Sequence, residues 1–476
     1  MSTEYLHGVE TIESEVGGQT VSIVKSSVVA LVGIAPTGPA NQLTLCNSAQ
    51  DDTKFGAAVP GFNIPKTLQI IRSIVGGGSP VLVVNTFDQT ANTTQITGES
   101  QTVQKDGTLQ LANAPIGDVT VFEADGVTPA GISAGQDYNI DSFGKFTAIT
   151  QNVAVGTTYK FNYAKLNDSS VTPTQLIGGV DAGGNRTGIA LFDLAFNMYG
   201  FNPKIFISPN YASLAPVAAA FAAAAQKFRA VYLLDAGYGV TIQQAIEGRG
   251  IYGDLVFNTQ DERACLLYPY LKTWDDYSKA DIEFPYSAFF AGAITATDNN
   301  YGYWYSPSNK PVSPTATGFE RVIEWRLNDT NCEANQLNGN GIITAVAGFG
   351  TGFLTWGNRN AAYPANTSVK NFISLRRTDD MVIESMEIAA LPYIDQPITQ
   401  ALIDTIREAG NVLIRTLISR GAVLPGSKVT YNPADNPAEQ LANGQIVFER
   451  TYMIPTPAER ITYNDVLDIS LLNQFQ

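Results

Sequence analysis

At 476 residues and 44% apolar content, the chain is too long for one ordinary domain and apolar enough to bury real cores, so about two to four domains are expected. Charged residues make up only 15%, a share that suits a protein covering its surface with copies of itself, although Thr, Asn, Gln and Ser also solvate a surface. The net charge of −15 argues against non-specific nucleic-acid binding, which needs basic patches to displace counterions.

Residues 1–20 are polar, end in Gly17-Gly18 and read as an extended arm. They lack a basic start and an apolar h-region, so they do not form a signal peptide. Residues 21–32 are β-rich and run into the turn Gly33-Ile34-Ala35-Pro36-Thr37-Gly38-Pro39. Residues 65–75 have helical periodicity through Leu68, Ile71 and Ile74/Val75, stopped by Gly76-Gly77-Gly78, and 80–85 read as a buried strand. From about 91 to 174 the composition turns to Thr, Gly, Asp and Val, with short alternating runs at 119–122 and 159–163. The turns Asp106-Gly107, Asp125-Gly126 and Gly144-Lys145 punctuate an all-β module of sandwich or small-barrel type. It lies between two α/β stretches, as an insertion would.

Past Gly178 the pattern predicts a helix over 187–198, a strand over 204–207 and a helix over 213–228. A strand over 230–234 and a helix over 241–247 follow. That βαβ rhythm implies a partly parallel sheet flanked by helices. The Ala-rich stretch 214–225 is short and ends in Gln226-Lys227, as a buried amphipathic helix does and a membrane span does not. Residues 286–300 combine small residues (Ala288, Ala291, Gly292, Ala293) that let another backbone approach closely, with a turn at Asp298-Asn299-Asn300. Tyr301, Tyr303, Trp304, Tyr305 and a Ser-Pro-Ser-Asn loop come next. Two late helices are expected over 381–391 and 398–420, the second with Pro397 in its first turn and Gly421 as its stop. Residues 447–453 alternate as a strand, and 461–476 form an apolar–polar arm.

The residues offer little chemistry. His7, the only histidine, lies in the N-terminal arm, which removes most Ser-His-Asp, Cys-His and zinc–histidine schemes. Cys46, Cys265 and Cys332 are odd in number and widely spaced, so reduced thiols are expected rather than a disulfide framework. Arg376-Arg377 followed by Asp379-Asp380 reads as a local ion-pair cluster. The Gly-rich run 178–188 lacks the Gly-Lys-Ser/Thr ending of a phosphate loop and reads as a flexible re-entry from the inserted module. Residues 348–352 read as a glycine bend between strands. In the 398–420 helix, Leu402, Ile406, Ala409, Leu413 and Leu417 share a face opposite Asp404, Arg407, Glu408, Asn411 and Arg415. Such a polar stripe is ordinarily solvated; the alternative is a partner surface whose carboxylates meet Arg407 and Arg415.

Residues 286–309, YSAFFAGAITATDNNYGYWYSPSN, resemble the hallmark segment of contractile-tail sheath proteins, in which a helix running into Ala-X-Thr-Asp is followed by Gly-X-Trp and a Pro-X-Asn loop. Further stretches resemble the same family in the same order. They are VVALVGIAPTGP at 28–39, Arg186-Thr187-Gly188-Ile189-Ala190-Leu191, similar to the family's Thr-Gly-Ile-X-Ala-Leu helix start, and NPKIFISP at 202–209. LNGNGIITAV with Trp356-Gly357-Asn358-Arg359, FISLRRT at 372–378, Arg420-Gly421-Ala422 and the finish Pro455-X-X-Ala-Glu459-X-Ile461 complete the set. Departures are small: Asn358 stands where the family often has a small residue, and the hallmark loop is rich in Tyr.

The resemblance implies a structural machine part with no catalytic, cofactor or metal site. Such subunits stack around a rigid tube in a high-energy extended state and contract when the baseplate fires. The fold expected is α+β and multidomain: an α/β core sheet flanked by helices, an inserted all-β module, and N- and C-terminal arms that add strands to neighbouring subunits. Its parts are a linking arm (1–20), a discontinuous core (21–90 and 175–375), an outward-facing module (91–174) and an inner domain with a strand-exchange arm (376–476). Linking residues would be Val21, Ile23, Val24, Val447, Phe448, Ile461, Val466, Leu467, Ile469 and Leu471. Arg407, Asn411 and Arg415 would face the tube. Implied partners are further copies of the chain, the tail tube protein, and the baseplate and tail terminator proteins, with no nucleic acid and no membrane insertion. A bacteriocin-type contractile particle is a close alternative to a phage. An α/β enzyme with a β accessory domain and a cell-surface adhesin are more distant ones.

Overall fold

The computed structural model describes residues 25–475 apart from 79, 251, 252 and 254. The described residues form two compact units, one of 25–380 with 454–475, the other Met381–Met453. The division falls inside the helix Ile373–Ala390.

In chain order the larger unit begins with β1 (Val29–Gly33), β2 (Leu43–Cys46) and β3 (Val81–Asn85). Six strands follow, β4 (Thr93–Thr102), β5 (Thr108–Gln110), β6 (Ile116–Phe122), β7 (Tyr138–Ile140), β8 (Lys145–Ala148) and β9 (Thr158–Leu166). A small hairpin, β10 (Gly179–Val180) and β11 (Arg186–Thr187), leads to β12 (Ile205–Ile207), β13 (Val231–Asp235) and β14 (Ala264–Leu267). Then come β15 (Leu271–Asp275), β16 (Ala280–Phe284), β17 (Ala316–Phe319), β18 (Ile342–Ala347) and β19 (Phe353–Trp356).

Eight of these strands make one sheet in the order β19-β18-β14-β13-β12-β1-β3-β2. Its central strands are parallel, and only the edge strands β2 and β19 run antiparallel. The central strands are unbroken apolar runs because a parallel sheet is covered on both faces. Alternation divides the side chains between two cores. Ala30, Val32, Leu82, Val84, Phe206 and Leu234 face one. Leu31, Val83, Ile205, Leu233 and Leu267 face the other. The helix Ala215–Phe228 covers the first face through Val217, Phe221 and Ala225, and among the described residues no helix is long and apolar enough to cross a membrane. The helices Asn63–Ser73 and Tyr286–Asn300 cover the second.

Between β3 and β10 all the strands belong to two three-stranded antiparallel sheets, β4-β9-β6 and β5-β8-β7. They share a core of Val103, Leu109, Leu111, Phe146, Phe161 and Tyr163. The main-chain N–H groups of Gly107, Gly126 and Gly144 close turns at the three expected places.

Several boundaries differ from the sequence expectation. Residues 187–198 are not one α-helix. Gly188–Leu194 is a 3-10 turn, in which Ile189 and Phe192, three apart, both reach the core, and an α-helix forms only at Ala195–Tyr199. Asp298, Asn299 and Asn300 continue the helix that begins at Tyr286 instead of turning. The 381–391 helix starts earlier, at Ile373, and the next runs over Gln400–Ser419. Its cap is Thr399, whose hydroxyl accepts from the Leu402 N–H, so Pro397 precedes the helix and is not in its first turn.

The smaller unit holds that helix, β20 (Lys428–Thr430) and β21 (Glu449–Thr451), the last two paired antiparallel. The expected strand over 447–453 is shorter because the Asn436 amide donates to the Val447 carbonyl and accepts from its N–H, 2.9 and 2.7 Å.

Candidate assembly interface

The helix Tyr286–Asn300 is buried from Tyr286 through Asp298, which explains its lack of a polar face. Its small residues do what their size predicts. A side-chain carbon at Gly292 would lie 2.6 Å from the tip of Ile74 and 3.4 Å from the Cα of Ile71, so the Asn63–Ser73 helix approaches to backbone distance. At the far end the Asn299 and Asn300 amides donate to the carbonyls of Gly76 and Val75, fixing the glycine turn that stops the earlier helix. The Ser-Pro-Ser-Asn loop lies along β19: Asn309 N–H donates to Thr355, Thr355 N–H to Lys310 and Val312 N–H to Phe353. That loop covers an edge that would otherwise offer unpaired main-chain groups.

Asp298 is the one charge in this helix and is almost wholly buried, so it needs a cation. Arg377 supplies it from 79 positions away, with an Nη1–Oδ1 distance of 2.8 Å. Its neighbour Arg376 makes the local cluster expected from sequence, with Asp379 and Asp380, and also reaches Glu262. Arg263 closes on Asp380 at 2.6 Å. Burial works against the Arg376 charge, yet Asp380, Asp379 and Glu262 outweigh it and raise its pKa above the ordinary value. The sequence signal for Arg377 was the isolated carboxylate in an apolar helix. The local charge run around it drew attention to Asp379 and Asp380 instead.

The linking candidates divide by location. Val21, Ile23 and Val24, together with the Gly17-Gly18 joint and His7, lie outside the described residues. Val447 and Phe448 stand just before β21, where the Phe448 ring packs 5.8 Å from that of Tyr431. Ile461, Val466, Leu467, Ile469 and Leu471 are 62–95% exposed. Through residue 468 the segment makes no helix or strand, and 469–475 form a single 3-10 turn. Lone exposed apolar residues are ordinary, but this many on one segment are not. Every residue of β21 is exposed, and its only strand partner among the described residues is β20. A two-stranded ribbon is marginal alone and gains from added strands.

In the helix Gln400–Ser419, Leu402, Leu413 and Leu417 are buried as expected, joined by Ile403 and Ile414, while Ile406 and Ala409 are half-buried. Arg407 and Arg415 are exposed and paired with Asp404 and Glu408. Asn411 is engaged inside its own unit. Its amide donates to the Val429 carbonyl and accepts from the Val429 N–H, 3.0 and 2.9 Å, which ties β20 to the helix.

The other motifs are structural. Residues 179–187 make the β10–β11 hairpin, whose turn is organised by the Asp181 carboxylate accepting from Asn185, an arrangement hostile to a phosphate. Gly348–Gly352 is the tight β18–β19 turn, with φ of +74° at Gly350 and +79° at Gly352. The three thiols are free and buried, and burial pushes those of Cys46 and Cys265 up to about 12, far from a reactive thiolate.

Comparison with known proteins agrees with this geometry. Residues 184–361 match the family described as the phage tail sheath protein central domain. The chain is 37% identical to the tail sheath protein of Burkholderia phage BcepMu over 467 residues, 97% of each chain. It is 26% identical to the tail sheath protein of Escherichia phage P2, over 61% of this chain and 70% of that one. Among solved structures, the helical sheath of the anti-feeding prophage in its contracted state matches with a TM-score of 0.60 at 16% identity, covering 98% of this chain and all of the other. The contracted PVC sheath complex of an extracellular contractile injection system matches at 0.59 and 14%, covering 99% and all.

Proposed function

The chain belongs to the phage tail sheath family, a structural component of a contractile tail and not an enzyme, and from that premise we propose how its residues perform the task. Copies polymerise around the tail tube in an extended, metastable lattice and contract to drive the tube through the target envelope. The observation that carries this is the exposed apolar arm ending in Ile461, Val466, Leu467, Ile469 and Leu471, in a chain that also presents the uncovered edge of β21. Arms add strands to that ribbon on neighbours, Val447 and Phe448 flanking the acceptor and Val21, Ile23 and Val24 supplying the N-terminal strand. Main-chain hydrogen bonds hold such a link without demanding one fixed angle between bodies. Gly17-Gly18 and Pro455-Pro457 serve as joints. The contact is heterologous, so it propagates as a filament. Contraction is a rigid-body exchange between two interfaces, and the free-energy difference between the packings does the work with no nucleotide consumed.

The module of residues 91–174 faces outward and adds bulk. The Gln400–Ser419 helix faces the tube, with Arg407 and Arg415 able to exchange their exposed partners for carboxylates across the interface. Asn411 contributes by fixing the helix to β20. Baseplate and terminator proteins bound the lattice, which assembles in the host cytoplasm. A bacteriocin-type particle would use the same subunit.

Removal of residues 1–20, and separately of 462–476, tests the linkage. Each truncated protein is expected to keep the circular dichroism and melting of the full chain, while negative-stain microscopy shows no tubes. Cross-striated cylinders from either one would sink strand exchange.

A further inference from the structure

Near the start of the helix Ile373–Ala390, the first described residues of the chain and the segment that follows Ile454 are each held by an arginine. At the N-terminal side, Arg377 Nη2 donates to the Ser26 carbonyl at 3.1 Å, and the Ser26 hydroxyl donates to Asp298 Oδ2 at 2.8 Å. The main chain and side chain of Ser26 are thus both fixed to one buried ion pair. At the C-terminal side, Arg359 grips Glu459 in a fork, Nε to Oε1 at 3.0 Å and Nη2 to Oε2. The same guanidinium is set by Asn371 and by the ring of Phe372, 3.6 Å from its centroid.

The two arginines are joined through a short piece of chain. Arg359 bridges Phe372, the Asn360 N–H donates to Asn371 at 2.8 Å, and the Ile373 N–H donates to Asn358 at 3.0 Å. The next turn of the helix carries Arg377. Ser26 and Glu459 are therefore joined by a chain of contacts through residues 358–377, none of them in a strand of the eight-stranded sheet.

We propose that Arg377–Asp298 and Arg359–Glu459 are the mechanical anchors of the two arms. Tension arriving on one arm passes at Ser26 or Glu459 into residues 358–377 and leaves by the other, so the lattice is pulled while the core sheet is spared shear. The chemistry suits the role. Forked arginine–carboxylate pairs are short and directional, and burial of Arg377 with Asp298 keeps water from competing. Breaking the half-exposed Arg359–Glu459 fork would lengthen the free part of the C-terminal arm rather than unfold the subunit. The force path rests on the strand-exchange reading of the arms; the anchors themselves do not.

All three native cysteines are buried, so a nitroxide on Ala458→Cys, an exposed position, can be attached selectively. In full-length protein kept unassembled by dilution, the spectrum is expected to be restricted, and adding Glu459→Ala should shorten the correlation time several-fold. Tubes of Glu459→Ala without the label should form, then break at lower denaturant than native tubes, while the melting of the free subunit stays put. For the N-terminal anchor, Arg377→Met combined with Asp298→Leu removes both buried charges together and should weaken tubes in the same way. An unchanged nitroxide spectrum overturns the C-terminal anchor. Native denaturant resistance in unlabelled Glu459→Ala tubes, when the same substitution frees the label in the subunit, overturns the force path. Tubes that form without residues 462–476 sink strand exchange, and the spectrum of the free subunit still decides the anchor.

Discussion

Asp235 is a carboxyl wholly buried at the end of β13, where it caps the helix Tyr286–Asn300 from a neighbouring element. The residue at that cap is Pro285, which has no side-chain acceptor, and Asp235 Oδ1 accepts the Ser287 N–H at 2.8 Å in its place. Burial pushes its pKa from 3.8 up to about 7, although hydrogen bonds from the Ser287 hydroxyl and N–H and the Tyr286 N–H pull it down. A carboxyl raised on folding stabilises fully below its unfolded value, and that stability is lost as pH rises through the folded value. Native protein should therefore lose stability relative to Asp235→Asn between about pH 4 and 7, by no more than a few kcal/mol. Melting both proteins at pH 5 and pH 8 checks this; parallel shifts would mean that Asp235 is ionised throughout. Nothing in the sequence marked this residue, because its cap partner is 52 positions away. Asp298 was read only as part of a turn and Arg377 only as part of a local charge cluster, so their pairing across 79 positions was not anticipated.

At the scale of elements, β1, β3, β12 and β13 were legible because strands buried on both faces need unbroken apolar runs, whereas β2 and β14 were not read from the sequence. The start of the Ile373–Ala390 helix was not, because Arg376, Arg377, Asp379 and Asp380 look solvated in sequence and are buried against one another in the structure. The small-residue face of the Tyr286–Asn300 helix was legible, and it makes a firm prediction. Gly292→Leu forces bulk between that helix and Ile71 and Ile74, and should destabilise the subunit by about 1–3 kcal/mol, the usual cost of overpacking. Thermal unfolding measures it. A melting point equal to the native one would mean that the two helices can part without loss, and that their close approach contributes little.

For the whole molecule, the composition shift after residue 90 coincides with a change from the parallel sheet to two small antiparallel ones, and the reading of these residues as a separate module is open to test. The structure supplies the geometry that makes its removal a test. Thr93 and Leu166 are direct strand partners, and the Asn167 N–H donates to the Asn92 carbonyl at 2.9 Å, so the module's entrance and exit touch. Its own core of Phe146, Phe161 and Tyr163 is distinct from the two cores of the sheet. Some of its residues nevertheless reach across: Ile116, Ala164 and Val171 belong to the core on the first face of the sheet, with Ala114, Phe143 and Leu166 packed against it. Replacing residues 94–165 with a short glycine linker keeps the Asn92–Ser170 hydrogen bond, Leu166 and Val171 in place while removing Ile116, Ala164, Ala114 and Phe143. The shortened subunit should fold, melt somewhat lower than the full chain, and form tubes of smaller outer diameter. Insoluble or unfolded protein would show instead that Ile116 and Ala164 are integral to the sheet's core and that the module is a layer of it. Folded protein that forms no tubes would place the module within the subunit contacts, against an outward position.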